Sequence, residues 1–90
     1  MVTKFPFQEE IIDDAIIRTF EPTVDSDELV WHQDLKDRKV KIIESGGWFY
    51  QTEDNLPLEL KDNDVLIIPR LSWHRVIKGR GKLVVAILEE

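Results

Sequence analysis

The chain has 90 residues, with 12 Lys and Arg against 18 Asp and Glu, for a formal net charge of −6. That length fits one domain, residues 1–90, whose 42% of apolar residues supply one small core. The absence of cysteine excludes a disulfide framework, a thiolate metal site and a cysteine nucleophile, and the acidic balance argues against nucleic acid as a partner, because non-specific binding needs a basic face. The longest apolar run, near the C-terminus, falls far short of the ~18–20 residues that span a bilayer. The first ten residues carry acids early and lack a signal-peptide apolar segment. The expectation is a cytoplasmic protein with no membrane partner.

Residues 1–14 read as an N-terminal arm or a short helix. Ile11, Ile12, Ala15 and Ile16 have a spacing that suits a helix face. From residue 15 onward, apolar clusters recur every ~8–12 residues between polar turns, the rhythm of an all-β sandwich or barrel. Ala15 to Phe20 is a first strand, ended by Pro22. Leu29 to His32 is a second, running toward Asp34. Val40 to Ser45 is a third. It leads through Gly46-Gly47 into Trp48 to Thr52, so that Lys39 to Thr52 reads as a hairpin. Leu56 to Leu60 places leucines on one face. Val65 to Ile68 is stopped by Pro69. Arg75 to Lys78 and Lys82 to Leu88 read as a last hairpin around Gly79-Arg80-Gly81. About eight strands result, a number that closes as a jelly roll or as an up-and-down barrel.

The two histidines carry the chemistry. In an extended segment, His32 and Asp34 project from the same face, and their side chains can converge on an ion between them. Imidazole nitrogen and carboxylate oxygen both ligate first-row divalent metals. His74 lies 42 residues downstream of His32, so only a folded barrel brings it close. Two histidines and one carboxylate leave open positions on a metal, as in non-heme iron oxygenases. Read blandly, a His near a Trp and a Pro is a packed, hydrogen-bonded side chain. Trp31 and Trp73 each precede a candidate ligand, so on a strand they point away from it. Trp48 and Tyr50 have opposite parity to Phe49 and Gln51, and the sequence leaves open which pair faces inward.

The segment from Leu29 to Lys78 resembles the cupins. Their first motif, G-X5-H-X-H-X3,4-E-X6-G, finds His32, Asp34 and Gly46 in register. Their second, G-X5-P-X-G-X2-H-X3-N, finds Pro69 and His74 in register, with Asn63 and Leu71 at the two glycine positions. The resemblance implies a double-stranded β-helix, a jelly-roll barrel over residues 15–90. It also implies a divalent transition metal (Fe, Mn, Ni or Zn) held by His32, Asp34 and His74, and a small-molecule ligand or substrate. Relatives of this kind include dioxygenases and isomerases, and also non-catalytic binding or sensing modules without metal. Small cupins often pair, so a homodimer is expected.

One departure matters. The motif glutamate falls on Lys39, and a protonated Lys has no lone pair to give a metal. Lys39 is instead a candidate for binding an anionic substrate, together with Gln51 and Arg70. Asp37, Glu44 and Gln51 are candidate replacement ligands. The expected substrate is small and anionic or enolisable.

Overall fold

Gln8–Ile12 (β1) and Ala15–Phe20 (β2) form an antiparallel hairpin at the start of the chain. The segment expected as an arm or a short helix is therefore a strand. A helix puts Ile11, Ile12, Ala15 and Ile16 on one face, but the same spacing also suits a two-residue turn. Across Asp13-Asp14, Ile11 faces Ile16 and Ile12 faces Ala15 in the ladder. Asp13 takes the positive φ of 54° that such a turn requires. The computed structural model describes residues 6–89, so the start of the expected arm lies outside the described residues.

Six more strands follow: Arg38–Glu44 (β3), Phe49–Thr52 (β4), Leu58–Glu59 (β5), Val65–Ile68 (β6), His74–Ile77 (β7) and Leu83–Glu89 (β8). All pairings are antiparallel. One sheet has the order β1-β2-β8-β3-β6 and the other β5-β4-β7. The all-β expectation holds, but the two sheets are not closed into a barrel. They face each other across a shared core. The strand expected at Leu29 to His32 is absent. There the Asp25 carboxylate accepts the Asp27 N–H and caps a 3-10 turn over Ser26–Glu28. Only His32 pairs in that segment, through an isolated bridge to His74.

Both expected long hairpins are instead crossings between sheets. β3 belongs to the five-stranded sheet and β4 to the three-stranded one; β7 and β8 are divided in the same way. The glycine turns are corners. Gly46 and Gly47 have φ of 56° and 78°, the left-handed region that glycine enters without steric cost. The Gly81 N–H donates to the Gly46 carbonyl at 2.9 Å. The Trp48 indole N–H donates to the Gly81 carbonyl at 2.7 Å. The two corners are thus bonded to one another and to the core.

Alternation along the strands builds that core. Val40 and Ile42 of β3, Ile68 of β6, and Leu83, Val85 and Ile87 of β8 point inward from one sheet. Trp48, Tyr50 and Leu60 meet them from the other side. Trp48 is completely buried, with the Phe20 ring centroid 5.5 Å away. Inward-facing Trp48 and Tyr50 resolve the parity that the sequence left open.

Asn63 and Leu71, at the two motif glycine positions, both have positive φ, 73° and 63°. Asn tolerates this conformation, but for Leu it is strained. Leu71 is held there by its N–H donating to the Asp34 carbonyl at 2.7 Å and by its carbonyl accepting from the Gln33 side chain at 2.8 Å. Its side chain is largely exposed. Leu71→Gly is therefore expected to stabilise the fold by up to about 1 kcal/mol, the relieved strain exceeding glycine's extra unfolded entropy. Thermal denaturation checks this: the melting temperature rises by roughly 2–6 °C.

Candidate metal centre

His32, Asp34 and His74 converge. One potential ligand atom from each lies within 4.8 Å of the others. His74 opens β7 and is 4% exposed. It is tied to His32 by reciprocal backbone hydrogen bonds of 3.0 Å, His32 N–H to His74 carbonyl and His74 N–H to His32 carbonyl. This two-residue bridge does the work expected of a full strand. The imidazole rings meet edge to face, with centroids 4.2 Å apart.

The hydrogen bonds define the tautomers. His32 Nδ1 lies 3.1 Å from the Val30 carbonyl, and His74 Nδ1 lies 2.9 Å from the Ser72 carbonyl. A carbonyl only accepts, so each Nδ1 carries the proton. In the neutral ring, Nε2 then bears the lone pair a metal needs. Burial pushes the His74 pKa below its ordinary value of 6.5. The bond to the Ser72 carbonyl opposes this, His32 reinforces it, Asp34 opposes it and Arg38 reinforces it. His74 is thus held neutral near pH 7.

Asp34 divides its two oxygens. Oδ1 lies 3.1 Å from Arg38 Nη1. Oδ2 lies 3.2 Å from His74 Nε2, yet it is buried and accepts no hydrogen bond. With the His74 proton on Nδ1, an anionic oxygen faces a nitrogen lone pair, an arrangement that a cation between them relieves. Arg38 is shared further, donating from Nε and Nη2 to Glu89 Oε2 at 3.0 and 2.8 Å. One guanidinium between two carboxylates leaves this ion-paired group net negative. That charge, the cluster's orphaned oxygen and its hard and borderline donors all fit a divalent transition metal.

The other sequence candidates lie elsewhere. Lys39 is exposed on the outer face of β3, opposite Ile67 and Leu88. Inward Val40 and Ile42 require residue 38 to face inward and residue 39 outward. Arg38, rather than Lys39, therefore reaches the cluster. The parity of β3 carried this signal in the sequence. Gln51 points away from the cavity, its amide oxygen accepting from Arg75 at 3.0 and 2.8 Å. Arg70 is exposed, with its backbone N–H donating to Asp37 at 2.8 Å. Glu44 is exposed at the end of β3. Trp31 and Trp73 are partly exposed outside the cavity, and the Arg75 guanidinium stacks over Trp31 at 4.7 Å. Tyr50 does line the cavity beside the cluster, its ring centroid 6.1 Å from that of His74. Burial, and secondarily the Asp34 charge, raises its phenol pKa, so Tyr50 stays a neutral hydrogen-bond donor.

A depressed His74 pKa has a stability consequence. The native state binds fewer protons than the unfolded chain between the folded value and 6.5. Its contribution is present above the unfolded pKa and is lost as pH falls through the folded one. In chelator, the melting temperature is expected to fall as pH drops below 6.5, and His74→Gln flattens that slope. NMR titration of the imidazole gives the pKa directly.

No protein-family model and no curated protein matches the sequence. Solved structures do match the fold. A cupin domain from Bordetella pertussis Tohama I aligns over 99% of this chain and 99% of its own, with TM-score 0.64 and 19% identity. A putative mannose-6-phosphate isomerase from Ralstonia eutropha JMP134 aligns over 92% of this chain and 81% of its own, with TM-score 0.62 and 20% identity. A DMSP lyase from Ruegeria pomeroyi DSS-3 aligns over 84% of this chain with TM-score 0.72 and 16% identity; the chain spans only 36% of that protein's length. Two antiparallel sheets around a shared core, matched along most of the chain by such structures, give this chain the fold of the cupins.

Proposed function

We propose that this protein binds one divalent transition metal (Fe, Mn, Ni or Zn) through His32, Asp34 and His74 and presents it to a small molecule. The observation that carries the reading is Asp34 Oδ2, buried without a hydrogen bond and 3.2 Å from His74 Nε2. When bound, the metal supplies Lewis acidity and open coordination positions. The chain's own groups do the rest. The Val30 and Ser72 carbonyls orient the imidazoles. Arg38 holds Asp34 in place from behind. The Tyr50 phenol offers a proton donor at the cavity wall. Metal-dependent isomerase, lyase or dioxygenase chemistry fits this arrangement, and the likeness to a DMSP lyase supports the second. Elemental analysis of untagged protein, before and after incubation with each metal salt, tests the reading. Near one equivalent of a transition metal supports it; none with any of the four metals sinks it.

We also propose a cytoplasmic homodimer. Ile12, Val65, Ile67 and Leu88 are exposed on the outer face of the five-stranded sheet, with Lys39 and Lys41 among them, and a second copy would cover the apolar residues while the lysine stems pack over them and their heads reach solvent. Sedimentation is expected to give twice 10.6 kDa, and Ile67→Asp to give the monomer.

A further inference from the structure

A cavity of about 520 Å³ runs between the two sheets. The metal-ligand cluster occupies one end of it. Along β3, Arg38 stands beside the cluster. Val40 follows, opposite Leu66 and Ile87, and then Ile42, opposite Val85. Four residues of strand carry the wall about 13 Å away from the cluster, and all of these side chains line the cavity. Polar hydroxyls placed against such a wall would lose their water without gaining partners, at a cost that apolar groups do not incur.

The cavity's cations are already committed. Arg38 lies between Asp34 and Glu89. Arg18 donates to Glu9 at 2.7 Å, and its guanidinium stacks 4.2 Å over Phe7. Among the described lining residues, neither arginine is without a carboxylate partner, and a phosphate would have to displace one. The two cations expected near the site from the sequence, Lys39 and Arg70, lie outside the cavity.

We infer that the site takes molecules with a single polar or metal-ligating head and an apolar body of roughly eight carbons, and that it rejects polyols and sugar phosphates. The inference deepens the small-molecule reading of the site, but it rests on the cavity wall and not on the metal. The head sits at the His32, Asp34 and His74 end. The body lies along the partly exposed Phe20, Leu66 and Val76, above the floor that the buried Val40 and Ile42 close.

A homologous series of 1-alkanols, from butanol to octanol, tests this by calorimetry, with glucose 6-phosphate as the polar probe. The full chain is used both in chelator and loaded with manganese. Affinity is expected to rise about threefold to fourfold per methylene, about 100-fold across the series, with no binding of the sugar phosphate in either state. Leu66→Trp, which narrows the cavity, is expected to abolish octanol binding while sparing butanol. Leu56→Trp, at a largely exposed position outside the cavity, leaves the series intact and controls for folding. A flat series in chelator, or tighter binding of glucose 6-phosphate than of octanol in either state, overturns the inference. Because the alkanol series is read without metal, a protein that binds no metal but keeps the series refutes only the metal reading. One that binds metal but shows no series refutes only this one.

Discussion

His74→Ala is expected to lose metal binding by at least about 100-fold, since even residues that merely orient a ligand are worth 10–100-fold in affinity. The substitution removes a buried ligand whose Nε2 stands 3.2 Å from the only Asp34 oxygen not committed to Arg38. Asp34→Asn preserves shape but removes the negative charge, and a loss of similar size is expected. Competition titration with a chromogenic chelator reads both. Lys39→Glu is the informative control. The family motif makes residue 39 a ligand position, so a site merely depleted by lysine would bind metal more tightly after the change. In the structure Lys39 faces outward, and affinity is expected to move by less than about threefold, the scale of a screened surface charge. Marked tightening by Lys39→Glu would mean that β3 shifts its register when metal binds.

Substitution at the glycine corners is expected to have the largest effect on stability. A methyl group on Gly46 would run into the Lys82 carbonyl oxygen, and one on Gly79 into the Gly46 carbonyl and the Gly47 backbone. These obstacles are backbone on both sides and cannot rotate away. Gly46→Ala also places a side chain at φ 56°. Each change is expected to cost about 3 kcal/mol or more, Gly79→Ala through overpacking alone and Gly46→Ala through overpacking joined to backbone strain, a large share of the stability of so small a domain. Gly47→Ala separates the two causes. Its φ is 78°, but a Cβ there meets nothing closer than the Arg80 nitrogen at 3.9 Å, so only the conformational cost of about 1–2 kcal/mol applies. Urea denaturation should rank Gly47→Ala well above the other two. A loss at Gly47 equal to that at Gly46, with Gly79→Ala nearly neutral, would show that strain, and not the back-to-back packing of the corners, sets the cost.

The limits of the sequence are visible at particular residues. The Ile11, Ile12, Ala15, Ile16 spacing suits a helix face and a two-residue hairpin equally, and only pairing with β8 selects the strand. The run from Lys39 to Thr52, with two glycines at its centre, reads locally as a hairpin. The glycines are needed instead because two corners touch, and that contact joins residues more than thirty positions apart. Lys39 was brought forward by its motif position, whereas the alternation of β3 puts Arg38 at the cluster.

What the sequence by itself determined is local: most strand segments, the all-β class, and three candidate ligands at motif spacing. A strand's period of two and a turn's need for positive φ are written into a few neighbouring residues. The tertiary structure alone decided which strands share a sheet, that the glycine turns cross between sheets, and that Asp34 Oδ2 is left without a hydrogen bond. Each of these depends on which distant groups the ladders bring together, and alternation is the same for every partner a strand could choose.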